Sequence, residues 1–105
     1  MELSIAFGQA LKKVRSSRNL TQEDFSTVSS RTYLSSLERG LKSPTLEKID
    51  QIAGALGVHP LTILVAAYVD REEHQDVDRL FQKIRSELIE VSSADSASKR
   101  KQRGV

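Results

Sequence analysis

The chain has 105 residues, no cysteine, 38% hydrophobic and 29% charged residues, and a formal net charge of +2. This composition is typical of one globular domain, and the lack of cysteine excludes disulfides, thiolate metal sites and thiol catalysis. No apolar run approaches the ~20 residues that span a bilayer, and the N-terminus lacks a signal-peptide pattern. We therefore expect a cytoplasmic protein without a membrane partner.

Charge is unevenly distributed along the sequence. Residues 1–59 carry eight Lys and Arg against six Asp and Glu, residues 60–91 carry four against seven, and residues 92–105 carry four against one. Such asymmetry suggests that one part of the chain meets a polyanion, although a solvated surface of mixed charge is the alternative.

Apolar spacing predicts a first helix over residues 3–17, whose inner face carries Phe7, Ala10, Leu11 and Val14. Asn19 suits the left-handed conformation at its C-terminal end. Thr21 is expected to cap a second, short helix over residues 21–28, buried through Phe25 and Val28.

A third helix is predicted over residues 31–38, capped by Ser29 or Ser30 and ended by Gly40. Leu34 and Leu37 point inward in this prediction. The outer side is polar and mostly small, and it comprises Arg31, Thr32, Ser35 and Ser36.

Two further helices follow. Thr45 is expected to cap the fourth, which Gly57 ends, and its predicted buried residues are Leu46, Ile49, Ile52, Ala53 and Leu56. His59 and Pro60 open the fifth, because proline suits the first helical position. Its predicted inner residues are Leu61, Leu64, Val65 and Tyr68.

A sixth helix is indicated by one apolar stripe between residues 77 and 91, formed by Val77, Leu80, Phe81, Ile84, Leu88 and Val91. The stripe either packs on its own body or pairs with a second copy, and we favour a homodimer. Residues 92–105 are expected to form a disordered basic tail. No strand signal occurs, so the predicted fold is all-α, with a five-helix domain over 1–69 and a C-terminal helix over 70–91.

Two short helices joined by a tight break, the second with a small polar outer face, are typical of a helix-turn-helix module. In such modules the second helix enters the major groove of DNA, where an arginine can bind guanine through paired acceptors.

Residues 5–68 resemble the DNA-binding domain of the lambda-repressor/Cro-like (Xre-type) transcriptional regulators. The resemblance is carried by the pattern RxxRxLTQE at 15–23, then YLSSLERG, KSP, and the LxxIAxALGV-like spacing at 49–58. It implies a sequence-specific regulator, most simply a dimeric repressor that binds double-stranded DNA at a palindromic operator.

The resemblance also implies roles for individual residues. Base edges are read by Arg31, Thr32 and Ser36, with Ser35 close by. Phosphates are bound by Gln22, Arg39, Lys42 and Ser43. Arg15 and Glu38 form a structural salt bridge, and the stripe residues Val77, Leu80, Phe81, Ile84 and Leu88 serve dimerisation.

The sequence departs from the family pattern at one place. Between Gln22 and Leu34 it is two residues shorter, and Ser29-Ser30 stand where the turn usually has glycine. Either the first helix of the motif loses its last half-turn or the turn is rebuilt with serine caps.

Other function classes find little support. His59 and His74 do not converge on a metal site, the carboxylate pair Glu72-Glu73 implies no catalytic pocket, and there is no glycine-rich phosphate loop. We expect no enzyme activity, cofactor or metal. The alternatives to a repressor are an antitoxin that binds a toxin through the stripe, a restriction–modification controller protein, and a helical adaptor that does not bind DNA.

Overall fold

The computed structural model describes residues 1–25, 30–72 and 76–103, with side chains described as far as Ala94. Its helices are α1 (Leu3–Ser17), a short 3₁₀ helix (Gln22–Phe25), α2 (Arg31–Glu38), α3 (Leu46–Leu56), α4 (Pro60–Arg71) and α5 (Val77–Arg103). The described part of the chain contains no strand, which confirms the all-α prediction. It divides into two compact units, Met1–Glu73 and His74–Val105.

Local capping explains most of the helix boundaries. Ser30 and Thr45 accept hydrogen bonds from the backbone amides of Tyr33 and Lys48, each at 3.1 Å, at the starts of α2 and α3. Asn19 and Gly57 follow α1 and α3 with φ of 57° and 73°, the left-handed conformation that asparagine and glycine tolerate. The predicted bounds of these helices are confirmed, and the ends marked by Ser30, Thr45 and Gly57 each depend on one flanking residue.

The second predicted helix is only partly as expected. The described part is the 3₁₀ helix Gln22–Phe25, while Val28 and Ser29 lie outside the described residues. Thr21 does not cap it through an accepting hydroxyl: its hydroxyl and its amide both donate to the Asp24 carboxylate, at 3.1 and 2.6 Å. The prediction for Thr21 was wrong because the backbone amide of Asp24 donates to the Thr21 carbonyl oxygen, at 3.2 Å, and not to the Thr21 hydroxyl.

The first unit is held by one core that draws on every helix between residues 3 and 71. Its fully buried large side chains are Phe25, Leu11, Leu34, Leu37, Ile52 and Ile63. Phe7, Ala10, Ile49, Ala53 and Leu56 join this core, as predicted, and Val14 packs against it.

Three predicted core residues are exposed instead. Leu46 is 79% exposed because it is the first residue of α3 and lies beyond the core. Leu61 and Tyr68 are exposed because α4 buries Ile63 and Ala67, one turn apart. The run from Leu61 to Val69 is apolar almost all round, so its spacing could not define the buried face. The other two residues predicted to face inward from α4 are closer to the core: Leu64 packs against it and Val65 is half-buried.

The backbones of α1 and α2 approach closely at one point. A Cβ atom at Gly8 would meet the carbonyl oxygen of Leu37 and would lie 2.7 Å from that of Glu38. A Cβ atom at Gly40, where φ is 74°, would likewise lie 2.9 Å from the Cα atom of Ile5. Both glycines are therefore needed where α1 passes the C-terminal end of α2.

The second unit is dominated by α5. Asp76 caps it by accepting a hydrogen bond from the backbone amide of Arg79 at 2.8 Å. The helix continues to Arg103, past Val91, so the expectation of disorder after Ser92 is not met in the described residues. Residues 92–103 lose the apolar period but contain no proline or glycine to stop a helix.

Among the described residues, no single helix is long and apolar enough to cross a membrane; only α3 and α4 taken as a pair, bent by 105°, meet the criteria of length and composition.

Candidate nucleic-acid interface

The outer face of α2 is polar and basic. Arg31, Thr32 and Arg39 are exposed and Ser35 is half-buried, whereas Leu34 and Leu37 on the opposite side are fully buried. At about 100° per residue, these four polar residues fall within about 100° of arc. The helix therefore presents one continuous face without an acidic or large apolar side chain.

Ser36 does not belong to this face. Its side chain is buried, and its hydroxyl donates a 2.9 Å hydrogen bond to the carbonyl oxygen of Thr32, one turn back in the same helix. It lies about 40° beyond the exposed arc, on the side that packs inward. We therefore withdraw the base-reading role predicted for Ser36.

A buried ion pair fixes α2 against α1. Arg15 donates to the Glu38 carboxylate twice, from Nε to Oε2 at 2.6 Å and from Nη2 to Oε1 at 3.0 Å. Its Nη1 atom donates to the carbonyl oxygen of Leu20 at 2.7 Å. Their side chains are only 12% and 4% exposed. The hydrogen bond to Glu38 raises the pKa of Arg15, with the Glu38 charge adding to it and burial opposing it. The pair implied by the family resemblance is thus present.

Gln22 joins the same network. Its side-chain amide donates to Oε1 of Glu38 at 3.2 Å. A primary amide has two N–H groups, so this bond leaves one for another acceptor. The network connects the 3₁₀ helix, α1 and α2, and thereby sets the direction of α2.

Arg31 has an acidic neighbour on the other helix of the motif. Its Nη1 donates to Oε1 of Glu23 at 3.1 Å. The side chain of Arg31 is 70% exposed and that of Glu23 is 72% exposed. The sequence motifs do not predict this contact, because the two residues are eight positions apart and belong to different helices.

A second basic cluster lies beside α2. The ammonium groups of Lys42 and Lys48 are 5.7 and 5.6 Å from the centre of the Tyr33 ring. Tyr33 is half-buried against the core, so it provides a fixed platform for both lysines. Arg39 and Ser43 are also exposed in this region of the chain. Lys48 was not among the predicted phosphate contacts, because it lies outside the motif residues that implied them.

The predicted dimerisation residues form a largely exposed stripe on α5. The exposed fractions are 43% for Val77, 46% for Phe81, 36% for Ile84 and 60% for Leu88, while Leu80 is half-buried. An amphipathic helix that leaves its apolar face this open has no packing partner for that face among the described residues of its unit.

The described part of the chain contains no group of three or more His, Cys, Asp or Glu residues that could hold a metal ion. His59 has a structural role, since its Nδ1 accepts a 3.0 Å hydrogen bond from the backbone amide of Leu61 at the start of α4. His74 lies outside the described residues.

Comparison with known proteins places this geometry in a family context. A family model described as helix-turn-helix matches residues 11–63, about half of the chain. The control protein C.BamHI of Bacillus amyloliquefaciens is 38% identical over 65 residues, which cover 59% of this chain and 80% of that protein. The immunity repressor of Bacillus phage phi105 is 33% identical over 92 residues, covering 77% of this chain and 63% of the repressor.

Solved structures agree with the sequence matches. The crystal structure of the clp gene regulator ClgR from Corynebacterium glutamicum superposes with a TM-score of 0.65 at 30% identity, and covers 69% of this chain and 96% of ClgR. The similarity therefore extends through nearly the whole of that ClgR structure.

Proposed function

Since the chain belongs to the lambda-repressor-like (Xre-type) helix-turn-helix family of DNA-binding transcriptional regulators, we propose that it is a cytoplasmic dimeric repressor of a palindromic operator. Repression follows if the dimer occupies a promoter and excludes polymerase. The proposal needs no cofactor and no catalytic step.

The observation that carries the proposal is the outer face of α2. It is polar and positively charged, and its small residues Thr32 and Ser35 allow the helix backbone to come close to base edges. The buried network of Arg15, Glu38 and Gln22 holds it rigidly from behind. A rigid recognition helix costs little entropy on binding, which favours specific contacts.

We assign base reading to Arg31, Thr32 and Ser35. Arginine binds guanine O6 and N7 through two parallel donors, and threonine contacts either a base edge or the thymine methyl group. Phosphate binding is assigned to Gln22, Arg39, Lys42 and Ser43, through the remaining amide hydrogen of Gln22, the cationic groups and the serine hydroxyl. These contacts supply affinity by releasing counterions, without sequence preference.

Dimerisation is assigned to the stripe on α5. Two recognition helices read half-sites about 34 Å apart only when a two-fold axis relates them. The open apolar faces of Phe81, Ile84 and Leu88 support pairing with a second copy, since burial of such side chains contributes roughly 25 cal/mol per Å².

Selection of bound duplexes from a random pool, combined with light scattering, tests the proposal. We expect an enriched sequence with two-fold symmetry, half-sites spaced by about 10 base pairs, and the mass of a dimer. A monomer that enriches no sequence would overturn the proposal, and would favour the adaptor function instead.

The match to the control protein C.BamHI, and a structural match to the restriction–modification controller protein C.AhdI from Aeromonas hydrophila, favour a second candidate function, that of a restriction–modification controller protein. A controller activates as well as represses. A reporter gene placed on each side of the selected operator distinguishes the two functions, since a repressor lowers expression in both orientations and a controller raises it in one.

A further inference from the structure

The contact between Glu23 and Arg31 joins the two helices of the motif on their exposed side. The carboxylate of Glu23 accepts from Nη1 of Arg31 at 3.1 Å, and both side chains are largely in solvent. Ser30 caps α2, and Arg31 is the first residue of that helix, where the positive end of the helix dipole disfavours a cation. The carboxylate of Glu23 offsets this unfavourable field.

The atoms involved leave one edge of the guanidinium open. Arginine has five N–H donors, and the edge formed by Nε and Nη2 presents two of them in parallel. Among the described residues, neither Nε nor Nη2 of Arg31 has a hydrogen-bond partner. Two parallel donors are what guanine O6 and N7 accept. Binding of Nη1 by Glu23 thus leaves the edge that reads guanine available.

The strength of the contact depends on its surroundings. In the free protein an exposed ion pair contributes little, because water screens both charges. When DNA covers the motif and water leaves the interface, the same pair strengthens, because the effective dielectric constant falls. At the same time a carboxylate close to the phosphates repels DNA of every sequence. The strengthened contact raises the ratio of specific to non-specific binding, whereas the repulsion lowers both affinities and leaves their ratio unchanged.

We propose that Glu23 is a specificity-determining positioning residue, which holds the guanidinium of Arg31 with its Nε–Nη2 edge toward a guanine. The inference rests on the proposed function, since it requires that Arg31 reads a base. Glu23 itself does not contact that guanine.

The test is a double-mutant cycle on DNA. The proteins are the wild type, Glu23→Gln, Arg31→Ala and the double variant, with Glu47→Gln as the charge-matched control. Glu47 is exposed on the first turn of α3 and makes no ion pair with a described residue. Kd is measured for the duplex that the wild type selects and for duplexes in which each base pair is replaced in turn. Thermal melting checks that each variant is folded.

We expect Arg31→Ala to lose discrimination at one base pair in each half-site. Glu23→Gln is expected to lose about threefold or more of the discrimination at that same base pair, and to have no further effect on it when Arg31 is absent, as residues acting through one contact do. It should also bind scrambled duplexes more tightly. Glu47→Gln should leave the discrimination at that base pair unchanged.

If Glu23→Gln discriminates at that base pair as well as the wild type does, the inference is wrong, while the proposed function is unaffected. Sharper discrimination by that variant also overturns it, because Glu23 would then compete with the base for Arg31. A wild-type protein that prefers no duplex overturns the proposed function together with the inference.

Discussion

Arg15 and Glu38 differ from the other ion pairs of the described residues in being almost withdrawn from water, with side chains 12% and 4% exposed. We predict that Glu38→Ala lowers the free energy of unfolding by about 3–5 kcal/mol, because it leaves the guanidinium of Arg15 buried without its partner. Urea unfolding measures this loss. Glu47→Ala is the control, since the exposed Glu47 should change stability by no more than about 1 kcal/mol, through its interaction with the dipole of α3. A loss as small for Glu38→Ala would contradict the structural role of the pair.

Lys42 tests the phosphate contacts. Lys42→Ala should weaken binding to selected and scrambled duplexes alike and flatten the slope of log K against log salt by about one, because one phosphate contact releases about one counterion. Lys13→Ala is the matched control, since the Lys13 ammonium is paired with Asp70 at 3.0 Å. An unchanged slope for Lys42→Ala, measured by fluorescence anisotropy over a salt series, would remove Lys42 from the interface.

Single residues could be predicted where a motif fixes their position, and less well where packing does. The resemblance led to Arg15 and Glu38, which do pair in the structure. It also led to Ser36, which is buried, because a shift of about 40° around a helix moves a side chain from solvent to core. The partner of Arg31 could not be predicted, since Glu23 belongs to a different helix.

The contact between α1 and α2 depends on the small size of Gly8. We predict that Gly8→Ala destabilises the protein by about 1–3 kcal/mol, because the new methyl group meets the carbonyl oxygens of Leu37 and Glu38. Gly54→Ala is the matched control within α3. It meets nothing within 4 Å, and alanine in place of glycine inside a helix favours folding by about 0.5–1 kcal/mol.

Thermal unfolding measures the change in melting temperature of both variants relative to the wild type. Opposite signs, with Gly8→Ala melting below the wild type and Gly54→Ala above it, would show that the close approach of backbones decides the outcome. If both variants gain stability, α1 and α2 are not as close as the structure has them.

Helix boundaries were the most predictable feature at this scale, because Ser30, Thr45 and Gly57 act through adjacent residues. The faces of α4 were less predictable, since its sequence is apolar nearly all round. The end of α5 was also missed: its apolar stripe stops at Val91, but nothing in the residues that follow breaks a helix until Gly104.

The assembly depends on whether the α5 stripe pairs with a second copy. We predict that Ile84→Asp gives a monomer that binds the operator more weakly, because a carboxylate replaces a central apolar side chain of the stripe. Ile89→Asp is the control: Ile89 is five residues further on, about 140° around the helix, and is 60% exposed. Light scattering measures the mass of both. Dimers of equal stability for both variants would exclude the stripe as the interface.

For the whole molecule, the all-α class and the helix-turn-helix module could be predicted, because apolar period, caps and motif spacing agree along residues 11–63. The division of the core among the helices could not, because it depends on contacts between distant residues such as Phe25, Leu37 and Ile63.

The central claim is that the exposed face of α2 reads base sequence, and Arg31 provides its most direct test. The measurement is the affinity of Arg31→Ala for the selected duplex and for a scrambled one, beside Arg39→Ala, another exposed arginine of the same segment. We predict that Arg31→Ala costs about 1–3 kcal/mol on the selected duplex and much less on the scrambled one, whereas Arg39→Ala weakens both equally. Equal losses on both duplexes for Arg31→Ala would contradict the claim.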